Sequence, residues 1–318
     1  MKNINKLITA VATVGTATIA ALTVANDTIV KRNSPVYKKI EQNMAVITDE
    51  EMLALRDKYT NWFDENVCEE HEIISETGEK LKGYLIKSQE PSDKYIFGAH
   101  GYRSNARIEF CLFAYYYVQM GLNVFVVDHK GAGQSEGEYI GFGHYESQDC
   151  MKWLEYMNET FGEDIQIGLH GVSMGCATVL KMSGNENLPQ NVKFVVADCG
   201  YTSAGELFEA KLEKFGVLKK PIVGVIDVIN QHTTGYSYKQ TSTKEAVSKM
   251  KIPALFVHGS EDELVPYTMS MENYNLCPMP TMDKELFIVQ GSSHATNIVI
   301  DGEGYMQRVA NYVQRYMK

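Results

Sequence analysis

From about residue 71 to the carboxyl terminus, short apolar runs alternate with longer stretches of helical periodicity. HEIIS, LKGYLIKS, KYIFGAH (94–100), NVFVVD (123–128), DIQIGLHG (164–171), KFVVAD (193–198), ALFVHG (254–259) and ELFIVQG (285–291) predict strands. Between them, RIEFCLFAYYYVQMG and SQDCMKWLEYMNETFG read as helices, and a closing helix is expected near Gly304–Met317. Strands alternating with helices predict an α/β protein with a mostly parallel central sheet. Several strands end in Gly, His or Asp, at the carboxyl ends where ligands bind in open α/β sheets.

Two segments break this rhythm. Roughly 50 residues separate KFVVAD from ALFVHG, far more than a compact α/β unit normally uses. Leu207, Phe208, Leu212 and Phe215 fall near helical spacing there. The insertion is expected to form a helical cap at about 201–251, after the sixth strand, rather than a plain crossover helix with extra surface turns. At the other end, the run Leu7–Asn26 carries no charge after Lys2 and Lys6. It is just long enough to cross a bilayer, which needs roughly 20 residues. Residues 1–26 are therefore expected to be a retained single-pass anchor in the cell membrane, with the catalytic domain extracellular. The alternatives are a signal peptide cut near Thr23–Ala25, giving a secreted protein, and a buried helix. Lys31, Arg32, Lys38 and Lys39 follow the run, so charge does not cleanly orient it. Residues 27–70 read as a helical linker to a domain spanning 71–318.

Composition changes this picture little. The chain is 318 residues long, 44% hydrophobic and 22% charged, as in an ordinary globular protein. A net charge of −10 with no block of Lys or Arg argues against a nucleic-acid partner, which needs a basic face. The six cysteines are scattered without a CxxC pair, so neither a zinc site nor a disulfide framework is expected.

The chemistry concentrates at strand ends. Gly171-Val172-Ser173-Met174-Gly175 matches G-x-S-x-G between an incoming strand and an outgoing helix, the context in which a strained turn presents a nucleophilic serine. A serine hydroxyl needs a base, and the base needs an orienting acid, in the chain order Ser, acid, His for such a sheet. His294, in the turn after ELFIVQG, is the expected base. Asp262, in the turn after ALFVHG, is the expected acid, with Asp198 at the end of the preceding strand as its rival. Two backbone N–H groups must hold the oxyanion. Met174, directly after the serine, should give one, and Tyr102, after the strand KYIFGAH, the other. His100 reads as a structural histidine. Asp128–Ser135 contains Gly131 and Gly133 but no phosphate-loop pattern, and reads as a tight turn near the site. No pair of residues shows metal-ligand spacing, so no metal or other cofactor is expected.

HGYRSN, DHKGAGQSEG, HGVSMG, DCGYTS, HGSEDELVP and GSSHA together resemble the α/β-hydrolase superfamily, in its serine-aminopeptidase-like and acyl-esterase branch. They are closest to bacterial hydrolases with an N-terminal membrane segment. Lys130 stands where that branch commonly has Arg. The resemblance implies an α/β-hydrolase fold and, carried over residue by residue, the same triad of Ser173, Asp262 and His294 with oxyanion donors Tyr102 and Met174. The expected activity is hydrolysis of a carboxylic ester of a small or medium acyl substrate through an acyl-enzyme. A peptidase or thioesterase on the same scaffold is the alternative. A non-catalytic hydrolase-fold binding protein is a third class.

Overall fold

A computed structural model of the chain describes residues 19–35 and 50–318. Helix α1 (Glu50–Asn66) leads into the strands β1 (Val67–Ile74), β2 (Lys80–Ile86) and β3 (Lys94–Ala99). Helix α2 (Ala106–Gln119), β4 (Asn123–Val127), α3 (His144–Phe161), β5 (Gln166–Val172), α4 (Met174–Ser183) and β6 (Val192–Asp198) follow. The first strand thus begins at Val67, ahead of His71. The eight strands form one sheet in the order β1-β2-β4-β3-β5-β6-β7-β8, where β7 is Ala254–Gly259 and β8 is Lys284–Val289. Only the β1–β2 and β2–β4 pairings are antiparallel; from β4 across β3 to β8 the pairings are parallel.

The central strands β3 to β7 are almost wholly buried because helices cover both faces, whereas the edge strand β1 carries Glu69, Glu70 and Glu72 and is largely exposed or half-buried. Along β4, Val124 and Val126 enter one core with Phe110, Tyr117 and Tyr305, while Phe125 and Val127 enter the other with Trp153, Leu154 and Leu180. That is the period-two alternation of a pleated strand. Parallel connections bring the carboxyl ends of β3, β5, β6, β7 and β8 to one edge of the sheet, where the chemically interesting turns collect.

After β6 the inserted segment forms α5 (Ala204–Lys211), a 3-10 turn (Glu213–Leu218), α6 (Lys219–Thr234), a second 3-10 turn (Tyr238–Thr241) and α7 (Lys244–Ser248). It is a helical cap. Its inner face buries Leu207, Val223, Tyr236 and Tyr238 with Met174 and Phe142. Helices α8 (Thr268–Leu276), α9 (Asn297–Ile300) and α10 (Gly302–Tyr316) complete the chain.

The amino-terminal expectation needs correction. Among the described residues, no helix is long and apolar enough to cross a membrane. A single-pass anchor, and with it the assignment to the cell membrane with an extracellular catalytic domain, is not supported. Residues 1–18 of the expected anchor lie outside the described residues. Its remaining part belongs to a helical segment at 19–30 that runs unbroken through Thr23–Ala25. The physical reason is that an uncharged run is not a uniformly apolar one. Thr23 and Thr28 return their hydroxyls to the carbonyls of Ile19 and Val24, and the segment is two-sided. Asn26 and Val30 are fully buried, whereas Ile19 and Val24 are more than half exposed.

Candidate active site

Ser173 sits between β5 and α4 with φ 56° and ψ −112°, a conformation unusual for a residue with a side chain. Such strain persists only where the surroundings enforce it. Here the strand must reverse into the helix at once, and two glycines make room. A Cβ on Gly171 would lie 2.1 Å from the Gly175 carbonyl oxygen, and one on Gly175 would lie 1.8 Å from that of Ala99. The serine backbone N–H is tied to the Asp198 carbonyl at 2.8 Å. The turn therefore holds Ser173 Oγ at the sheet's edge.

Three expected residues meet there. His294 Nε2 lies 2.8 Å from Ser173 Oγ, and His294 Nδ1 lies 2.7 Å from Asp262 Oδ2. An ionised Asp262 can only accept, so the imidazole proton belongs on Nδ1 and Nε2 is left to accept from the serine. Asp262 is held from the other side as well. Its Oδ1 accepts from the backbone N–H groups of Leu264 at 2.9 Å and Val265 at 2.8 Å. Burial alone would raise its carboxyl, but hydrogen bonds from His258 and His294 outweigh burial and hold it well below the usual carboxylate range.

Asp198, the rival acid, is turned elsewhere. Its Oδ1 accepts from Asn297 Nδ2 at 2.6 Å. Burial pushes its carboxyl up to about 6, against opposing hydrogen bonds from Asn297 and Tyr305.

His258, within the expected strand ALFVHG, is a further functional residue that the sequence pattern did not single out. This buried ring has Nε2 at 3.0 Å from Asp262 Oδ2 and 2.9 Å from the Val265 carbonyl. Both partners are acceptors, so Nε2 carries the proton, and Nδ1 accepts from Ser270 Oγ at 2.7 Å. The signal was present in the four-residue spacing from His258 to Asp262, but a spacing does not reveal which way a ring faces. His100 is likewise built in. It places Nδ1 2.7 Å from the Gly101 carbonyl and accepts from the His129 N–H at 3.0 Å.

The loop after β3 packs against the serine. A Cβ on Gly101 would come 3.3 Å from Ser173 Cβ and 3.2 Å from Glu109 Oε2. The Gly101 N–H donates to Glu109 Oε2 at 3.3 Å. Burial pushes the Glu109 carboxyl up, partly opposed by hydrogen bonds from Ser104 and Gly101. Tyr102 stacks on Phe142 with ring centroids 5.2 Å apart. The Asp128–Ser135 turn anchors this loop from below. Asp128 accepts from the Ala106 N–H at the start of α2 at 2.9 Å, from the Gln134 N–H at 2.7 Å and from Tyr84 Oη at 3.0 Å.

Cys199, Asp262 and His294 bring ligand-type atoms within 4.8 Å of one another. Sequence spacing could not show this, because the three come from different strand ends. They do not suit a metal. Both His294 nitrogens are engaged by Asp262 and Ser173, and burial keeps the Cys199 thiol well above its usual range, away from the thiolate a metal requires. A largely apolar recess of about 190 Å³ is lined by Leu55, Tyr59, Ile108, Leu112, Ala295 and Ile298, with Arg56 and Glu109 also in its wall.

Residues 109–318 match the model of the prolyl oligopeptidase family. The chain belongs to that family. Family membership and fold together make it a hydrolase of the α/β-hydrolase superfamily. Among curated relatives it is similar to YqkD of Bacillus subtilis, 25% identical over 76% of this chain and 77% of that protein. It is also similar to YfhR of Escherichia coli K12, 24% identical over 73% and 74%. Among solved structures, an esterase of Pyrococcus furiosus matches with a TM-score of 0.63 and 23% identity over 79% of this chain and 93% of that one. A monoacylglycerol lipase of Paleococcus ferrophilus matches with a TM-score of 0.54 and 18% identity over 73% and 98%. At these identities the structural likenesses carry the family's fold and no more.

Proposed function

We propose that this member of the prolyl oligopeptidase family is a serine hydrolase that cleaves carboxylic esters of small or medium acyl groups through an acyl-enzyme. The observation that carries the reading is the unbroken hydrogen-bonded file from Ser173 Oγ through His294 to Asp262. As Ser173 Oγ bonds to the ester carbonyl carbon, its proton passes to His294 Nε2. Asp262 stabilises the resulting imidazolium. The backbone N–H groups of Met174 and Tyr102 receive the oxyanion. Collapse of the tetrahedral intermediate breaks the bond to the alkoxide, which leaves with the proton from His294. A water then gives its proton to His294 and attacks the acyl carbon, and the second intermediate collapses with cleavage of the bond to Ser173 Oγ, which takes the proton back from His294 as the acid leaves. The apolar recess that Ala295, the residue after His294, helps to line suits an acyl chain better than a peptide. The Pyrococcus esterase and the Paleococcus lipase agree with that preference.

The family model supports a second reading, a peptidase. A free substrate amine would want an anionic partner, and Glu109 lies beside the serine loop. Its Oε2 already accepts from the Gly101 N–H, which leaves it less available to an amine.

Two assays test the proposal. A fluorophosphonate probe should label the folded protein, and Ser173→Ala should lose both labelling and at least about 10³-fold in turnover. On a panel of p-nitrophenyl esters and aminoacyl amides, the esters should turn over faster. Absence of labelling defeats the serine mechanism, and faster amides defeat the ester preference.

A further inference from the structure

Residues 28–32 cross over the loop that follows β3, and their contacts fall on Tyr102 and Arg103. Tyr102 Oη donates to the Ile29 carbonyl at 2.6 Å and accepts from Arg103 Nε at 2.8 Å. Arg103 Nη2 donates to the carbonyls of Thr28 and Lys31, each at 2.8 Å, and Nη1 to that of Arg32 at 3.1 Å. These oxygens lie at the carboxyl end of the 19–30 helical segment, where the last carbonyls lack intrahelical partners and the dipole is negative. A guanidinium, with its forked donors and fixed charge, suits several such oxygens at once. Arg103 also has φ 57°, so the loop is bent into a conformation that something must hold.

The segment is fixed from its other side too. Val30 is fully buried in a cluster with Met174, Phe142, Leu207 and Val265. Its carbonyl accepts from the Ile140 N–H at 2.8 Å, and the Arg32 N–H donates to the Glu138 carbonyl at 2.8 Å. Arg32 Nη1 donates to the Ser135 carbonyl at 2.5 Å. Both residues whose N–H groups would receive the oxyanion are thus packed or bonded to residues 28–32, which lie ahead of the region matched by the family model.

We infer that this amino-terminal segment is a working part of the active site, and that Arg103 is a positioning residue which, clamped to it, fixes the Tyr102 backbone N–H as an oxyanion donor. The inference rests on the acyl-transfer reading above. Arg103 itself touches no reacting atom, and no bond to it forms or breaks. Its effect should appear in the transition state, where the oxyanion exists, and not in substrate binding.

The test uses the full-length chain with Arg103→Ala and Tyr102→Phe. Arg103→Ala should lower kcat on a p-nitrophenyl ester by about tenfold to a hundredfold, the range for a displaced donor, with KM within about twofold. The inhibition constant of a trifluoromethyl ketone, which needs the oxyanion donors, should rise by the same factor as kcat/KM falls. Millimolar guanidinium should restore part of kcat, and equal sodium chloride should not. Tyr102→Phe keeps the backbone donor and the remaining Arg103 bonds to residues 28–32 but loses the hydroxyl's bonds to Ile29 and Arg103, so it should show the same pattern more weakly. It also serves as the test if Arg103→Ala does not fold. A folded variant with kcat unchanged, or one that loses thermal stability while kcat, ketone affinity and guanidinium response stay as in the wild type, overturns the inference. A wild-type protein that neither labels with fluorophosphonate nor cleaves any ester instead overturns the reading beneath it.

Discussion

Asp262 and Asp198 end neighbouring strands, and their environments push their carboxyls in opposite directions. His258, His294 and two backbone N–H groups donate to Asp262, whereas Asp198 sits buried at about 6 beside Asn297. Asp262→Asn should therefore lower kcat by about 10³- to 10⁴-fold, because an amide leaves the imidazole in the wrong tautomer. Asp198→Asn should change kcat by less than about tenfold, and steady-state kinetics on one ester would compare them directly. Away from the site, Asp149 has a buried Oδ2 without a hydrogen-bond partner among the described residues. Burial first, and then the neighbouring Glu146, raise its carboxyl to about 7 from 3.8, against the pull of Lys130. A raised acid favours the folded state in its protonated form. That contribution is complete below the unfolded value and is lost as pH rises through about 7. Asp149→Asn should accordingly gain stability of order 2 kcal/mol at pH 8 and little at pH 4, read by denaturant unfolding at the two pH values. The opposite ordering would show that folding lowers the Asp149 carboxyl's pKa instead of raising it.

The turn between β5 and α4 is the element on which the site depends most. Its serine carries positive φ, and its glycines allow helix α4 to start against the end of β3. Gly175→Ala would drive a methyl group to 1.8 Å from the Ala99 carbonyl. Backbone cannot yield as a flexible side chain does, so the variant should lose more than about 4 kcal/mol in chemical denaturation or fail to fold. Much of this element could be read from its own residues, because strand, turn and helix are adjacent in sequence and the glycine spacing answers to local sterics. The same holds for the central strands β3 to β7, whose short apolar runs bounded by turn residues reflect burial on both faces. The segment at 19–30 was legible only in part. Its lack of charge suggested a bilayer, yet Asn26 and Val30 are buried beneath the cap, and the carbonyls at its end meet Arg103. Those partners lie far along the chain, so no local pattern announced them.

At the scale of the whole molecule, the parallel sheet gathers turns from distant stretches onto one edge, while α1, α2 and α9 contribute the lining of the apolar recess at Ala295. The kcat/KM of p-nitrophenyl esters should rise from acetate to hexanoate as the acyl chain gains apolar contact there. Leu112→Trp should lower hexanoate turnover about tenfold or more, the upper part of the range for losing apolar contacts in a pocket, and spare acetate; equal losses on both esters would place the acyl chain elsewhere. By itself the sequence determined the α/β class, the strand order in the chain, the insertion after β6, the serine turn and the histidine turn. These follow from local periodicity, local sterics and chain order. Only the tertiary structure decided which aspartate faces His294, that His258 braces that aspartate, and that residues 28–32 are seated on the serine's neighbouring loop. Each of those is a contact between groups widely separated or differently oriented along the chain, set by how sheet, cap and amino-terminal segment pack together.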